Sequence, residues 1–124
     1  MKTIIAGSRF EEKPKIIEAR YAELLDAMAD FELFGTITQV VSGTARGVDR
    51  LGERWAREHG IRVARFPADW LNHGTSAGFR RNQEMANYAD ALIALWDGQS
   101  RGTANMIDLA RRRGLLVFVA YMHA

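Results

Sequence analysis

The 124-residue chain is 48% hydrophobic and 26% charged, which suits one domain, residues 1–124, with an ordinary core. It contains no cysteine, which excludes disulfides, thiol nucleophiles and Cys-ligated zinc. A formal net charge of +2 is too small to imply nucleic-acid binding by itself and is compatible with an anionic small ligand.

Residues 3–6 form a short apolar run that ends in Gly7-Ser8-Arg9 and read as the first strand. A helix over 14–29 follows, with Pro14 suited to its first turn and Ile17, Tyr21, Leu24, Leu25 and Met28 on one face. Residues 38–42 read as the second strand. A second helix starts after Gly47, carries Val48, Leu51 and Trp55 on one face, and stops at Gly60. The third strand, 62–66, is ended by Pro67. A long polar loop, 68–76, leads to a helix over 77–88. The fourth strand spans 91–96, the fourth helix about 103–113, and the fifth strand 115–121, with Gly114 as the helix stop.

Strict alternation of strands and helices predicts an α/β fold. Strands two, four and five are nearly continuous apolar runs, as expected when helices cover both faces of a parallel sheet. The expectation is a Rossmann-like doubly wound sheet of five parallel strands, order 3-2-1-4-5, with about four helices. No apolar run approaches the ~18 residues of a membrane span. The first residues also lack the long apolar region of a signal peptide. The chain is therefore expected in the cytoplasm with no membrane partner.

In such a sheet ligands sit outside the carboxyl ends of the strands, around the point where the strand order reverses. Three strand ends there carry small residues: Gly7-Ser8-Arg9, then Ser42-Gly43-Thr44-Ala45-Arg46-Gly47, then Asp97-Gly98-Gln99-Ser100-Arg101-Gly102-Thr103. Glycine lets backbone approach a ligand, and free N–H groups at a helix start favour an anion. Hydroxyls of Ser8, Ser42, Thr44, Ser100 and Thr103 add hydrogen-bonding groups. Arg9, Arg46, Arg81 and Arg101 add guanidinium groups that pair with phosphate bidentately. A single glycine turn is explained by a tight connection alone; three at adjoining strand ends point to a phosphate-bearing ligand.

Asp49 stands close enough to its turn to meet a ribose hydroxyl, whereas Glu53 suits the helix dipole. Trp70, in the long loop, either stacks on a base or anchors the loop. His59, His73 and His123 show no metal-ligand spacing, so no metal is expected. Arg111-Arg112-Arg113 ends a helix, where positive charge is favourable.

The segments IIAGSRF, VVSGTARGVDRLGERWA, the stretch from Phe66 to Ile107 and GLLVFV resemble the YspA, or cpYpsA-related, group of the SLOG superfamily. The turn Ser42 to Asp49 is similar to the SGxAxGID turn of the DNA-processing protein DprA, which binds single-stranded DNA. Arg81, Glu84, Met85 and Ala86, followed by a strand and then Gly98, Gly102 and Thr103, resemble the Lonely Guy phosphoribohydrolases. Those enzymes cleave the N-glycosidic bond of nucleoside monophosphates. Their glutamate, three positions after the threonine, falls on Met106 here, and a thioether supplies no acid, base or charge.

The resemblance implies a nucleotide-derived ligand, adenine- or ADP-ribose-containing, that is sensed or sequestered, and a homodimer; no cofactor is required. The ligand-binding set is Gly7, Ser8, Arg9, Ser42 to Gly47, Asp49, Arg81, Asn82, Asp97, Gly98, Ser100, Gly102 and Thr103, with Gly43, Thr44, Ala45 and Arg46 at the centre of the second turn. The alternatives are an N-glycosidase in which Asp97, Asp49 or Glu84 supplies the carboxylate, and a single-stranded nucleic-acid binder. The last lacks the basic stripe with interleaved aromatics that such proteins need.

Overall fold

The computed structural model describes residues 1–123; Ala124, the final residue of the expected domain, lies outside them. The described chain runs β1 (Lys2–Gly7), α1 (Pro14–Phe31), β2 (Gln39–Ser42), α2 (Val48–Glu58), β3 (Arg62–Arg65), α3 (Trp70–His73), α4 (Ala77–Tyr88), β4 (Ala91–Trp96), α5 (Arg101–Arg112) and β5 (Leu116–Tyr121). All strand pairs are parallel and the sheet order is β3-β2-β1-β4-β5. Element limits differ from the sequence reading by at most about two residues, the scatter expected of fraying ends.

Two expectations need correction. Residues 68–76 are not an irregular loop throughout. Asp69 caps the single turn α3, accepting from the Asn72 backbone N–H at 3.2 Å, and a 3-10 turn (Gly74–Ser76) links it to α4. Leu25 does not share the buried face of α1: it is 39% exposed, while Ala27 and Phe31 take the inner positions beside Tyr21, Leu24 and Met28. Leu25 follows Leu24 by one residue, about 100° around the helix, and so falls on its flank.

The strand period of two divides the core into two layers. Ile5, Val40, Ile93 and Leu95 point toward α1 and α2, where they meet Leu24, Met28, Phe31, Val48 and Trp55. Ile4, Ala6, Val41, Leu92 and Ala94 point the other way, toward Met85 and Ala86 of α4 and Met106, Ile107 and Ala110 of α5. Central strands β1 and β4 are therefore apolar at successive positions. β5 is apolar as well but only partly buried, because it has a neighbour on one side alone. Tyr21 ties α1 to α2 by donating to Glu58 at 2.7 Å.

This architecture brings the carboxyl ends of β1, β2 and β4 to one rim of the sheet. β1 is flanked by β2 and β4, so the reversal of strand order falls between β1 and β4.

Candidate functional site

At the end of β1, the chain packs against β4 with no room for a side chain. A Cβ on Gly7 would lie 2.0 Å from the Leu95 carbonyl oxygen, so glycine is the residue that fits. Ser8 is buried; its N–H donates to Leu95 O at 3.1 Å and its hydroxyl accepts from the Asp97 N–H at 3.0 Å. Ser8 thus locks two strand ends together and lines neither cavity described below.

The β2–α2 turn is held from within. The Ser42 hydroxyl donates to Glu53 Oε2 at 2.6 Å and accepts from the Thr44 N–H at 3.1 Å. Thr44 takes a φ of 62°, a left-handed conformation unusual for a β-carbon branched residue. Gly47, with φ 83°, passes so close to β1 that a Cβ would sit 2.7 Å from Ser8 O. Its N–H donates to Glu12 Oε1 at 3.0 Å. Ser42 and Gly47 therefore shape the turn, in which Gly43 is buried, Thr44 and Ala45 are half-buried and Arg46 is exposed.

Asp49, on the first turn of α2, is 5% exposed and accepts from the Ala45 N–H at 3.0 Å. Burial pushes its carboxyl up to about 6; the Ala45 hydrogen bond, Arg81 and Arg9 oppose that rise, and Glu53 adds to it. Arg81, on α4, reaches across the rim. Its Nη1 donates to Gly43 O and its Nε to Asn82 Oδ1 at 3.0 Å. Burial lowers the Arg81 guanidinium below its ordinary range, Asp49 opposes this, and the like charge of Arg9 adds to it. Gly43 is the gate for this contact: a methyl there would fall 2.7 Å from Arg81 Nη1 and 2.9 Å from Asp49 Oδ2.

The β4–α5 turn follows the same logic. Asp97 Oδ1 accepts from the N–H groups of Gln99 and Ser100, both at 2.8 Å, which holds its carboxyl below the usual range. Gly98 supplies a φ of 82°. Asn82 Nδ2 donates to Gly102 O at 3.2 Å and Asn105 Oδ1 at 3.0 Å, fastening α4 to the amino end of α5.

Two adjoining cavities open between these turns. The first, about 420 Å³, is floored by Ala6 and Gly7, walled by Asp49, Arg81 and Asn82, and bounded on the α5 side by Asp97, Ser100, Gly102, Thr103 and Met106. The second, about 340 Å³, lies over the β2–α2 turn against Gly43, Thr44, Arg46 and Arg50, with Pro67 and Ala68 opposite. Arg9, Ala45, Trp70 and Arg81 border both. Both volumes are in the range of small-molecule pockets.

The three turns read from the sequence are thus brought to one place. Ser8, Ser42, Gly47 and Gly98 support the walls instead of lining the cavities, and Arg101 is exposed outside them. Glu84 is exposed and lines neither cavity. Trp70 is 55% exposed, with its ring edge toward Gly78. Phe79, Thr75 and Arg50 border the cavities but escaped the sequence reading. Arg50 was legible in principle, since it stands in the first turn of α2, three residues after Gly47. Met106 is buried in the α4/α5 layer and touches the first cavity, so the position carries packing where a Lonely Guy enzyme has its carboxylate. Among the described residues, no group of three or more His, Asp or Glu side chains could hold a metal ion, and no helix is long and apolar enough to cross a membrane.

A family model described as YAcAr, the YspA, cpYpsA-related SLOG family, matches residues 1–73. That span includes the first two turns and Trp70, and ends before Arg81. The Gene 61 protein of Mycobacterium phage D29 is similar to this chain, 40% identical over 102 residues, which cover 74% of the chain and 79% of the phage protein. No solved structure matches.

Proposed function

The chain belongs to the YspA, cpYpsA-related SLOG family, and from that premise we propose that it binds a phosphate-bearing, nucleotide-derived small molecule and leaves it intact. Adenine- and ADP-ribose-containing compounds are the first candidates, as the family likeness suggests. The observation that carries this reading is the partly buried Arg81 guanidinium, held between the β2–α2 turn and α4 on the border of both cavities. A desolvated, fixed guanidinium is suited to bidentate pairing with a phosphate. Gly7 and Gly102 leave backbone accessible on either side of it. The apolar packing of Met106 favours retention over cleavage, and the carboxylates that do border the first cavity, Asp49 and Asp97, accept from the backbone N–H groups of Ala45 and of Gln99 and Ser100.

A thermal-shift panel of nucleosides, nucleotides and ADP-ribose tests the proposal. A ligand at about 100 times its Kd adds about 2.7 kcal/mol. For a chain of this length that raises Tm by roughly 10 °C. Arg81→Ala is expected to abolish the shift, and the bound compound is expected to be recovered unchanged by mass spectrometry. No shift from any compound, or release of free base, would sink the proposal.

A further inference from the structure

Resting on that reading, we infer that the preferred ligand carries at least two phosphate groups, with the arginine-lined second cavity taking the phosphate that a nucleoside monophosphate lacks. The two cavities are chemically unequal. Asp49 and Asp97 both border the first; no carboxylate borders the second. Instead four guanidinium groups, Arg9, Arg46, Arg50 and Arg81, surround it. Among the described residues, Arg9 and Arg46 have no ion-pair partner. Arg50 has a single one, Glu12 at 3.3 Å, and remains largely exposed.

Arg9 and Arg81 repel each other across the boundary, and Arg81 does so while partly stripped of water. Asp49 offsets part of this charge from the side of the first cavity, and a phosphate on the border adds the negative charge that the second cavity lacks. One phosphate offers three terminal oxygens, while each guanidinium presents five N–H donors in a fixed fork. Paired bidentately, those three oxygens present three edges, one fewer than the four guanidinium forks, so a single phosphate leaves one arginine without a bidentate partner. A diphosphate, or two phosphates on one ligand, reaches from the shared border at Arg9 and Arg81 into the cavity beneath Arg46 and Arg50. The two cavities share Arg9, Ala45, Trp70 and Arg81 on their borders, so a ligand that spans them passes along these four residues. The nucleoside part is then left to the first cavity, where Trp70 and Phe79 offer aromatic surface and the carboxylates can accept from sugar hydroxyls.

The test is calorimetric titration of the full chain with adenosine, AMP and ADP, and with the matching guanine, cytosine and uracil compounds. For the base that binds, the diphosphate is expected to bind about tenfold or more tightly than the monophosphate. Arg46 is exposed and forms no ion pair, so Arg46→Ala and Arg46→Glu are suitable probes. The Ala variant is expected to cut the diphosphate-to-monophosphate ratio to below about threefold, and the Glu variant to remove it. Equal affinity for mono- and diphosphate in the wild type overturns this inference and spares the broader reading. So does a diphosphate preference that survives in both variants. Absence of binding by every compound, ADP-ribose included in the set, overturns both.

Discussion

Asp49 is a carboxylate held where water barely reaches it, between the Ala45 N–H and the Arg81 guanidinium. Its ordinary value is 3.8, and burial raises it to about 6 in the folded chain. Below about pH 4 both folded and unfolded chains hold the proton. Between these two values the folded chain holds a proton that the unfolded chain has released, so stability falls as pH rises through the window. Above about pH 6 the loss is complete and amounts to roughly 3 kcal/mol. Asp49→Asn keeps the shape and the Ala45 hydrogen bond but has no charge to bury. Its Tm is therefore expected to exceed that of the wild type at about pH 7.5, with the advantage shrinking toward about pH 4. Melting curves at several pH values check this; a difference that does not change with pH contradicts it. Asp49 also lies on the wall of the first cavity, where the proposed ligand would meet it.

At the scale of elements, the site depends on how α4 and α5 are joined. Asn82 spends its amide on Gly102 O and Asn105 Oδ1 and its carbonyl on Arg81 Nε, so one buried side chain aligns a helix start, a helix face and the central guanidinium. Asn82→Ala removes three part-buried hydrogen bonds at a cost of about 2 kcal/mol. Chemical denaturation is expected to show that loss together with weaker nucleotide binding, because Arg81 loses its lateral support. Unchanged affinity in a destabilised Asn82→Ala protein would show that Arg81 is positioned by Gly43 alone.

This dependence also explains what could be read from the chain. Alternating apolar runs and glycine stops determined all five strands and the four long helices, since those signals are local. The grouping of Gly7, Gly43 and Gly102 at one rim followed from the strand order. What remained hidden was the direction of individual polar groups. Ser8 and Ser42 read as ligand hydroxyls, yet both bond inward to backbone and Glu53. The turn α3 was equally hidden, because one Asp69 cap and four residues carry too little periodicity to declare a helix.

Across the whole molecule, the three tryptophans occupy three different settings. Trp55 lies in the core stacked on His59, and Trp96 is half-buried with its indole N–H donating to Ser100 O at 3.1 Å. Trp70 alone stands mostly in solvent, on the seam between the two cavities. The chain therefore contains its own optical gauge. Emission from Trp70 is expected to be the most water-relaxed of the three, and a ligand bridging the seam is expected to quench it or shift it to shorter wavelength. Trp70→Phe is expected to remove that response while Trp55 and Trp96 continue to emit. Filling of the seam can then be followed in real time without a label, from a side chain whose exposure gives the protein no evident benefit until a ligand arrives.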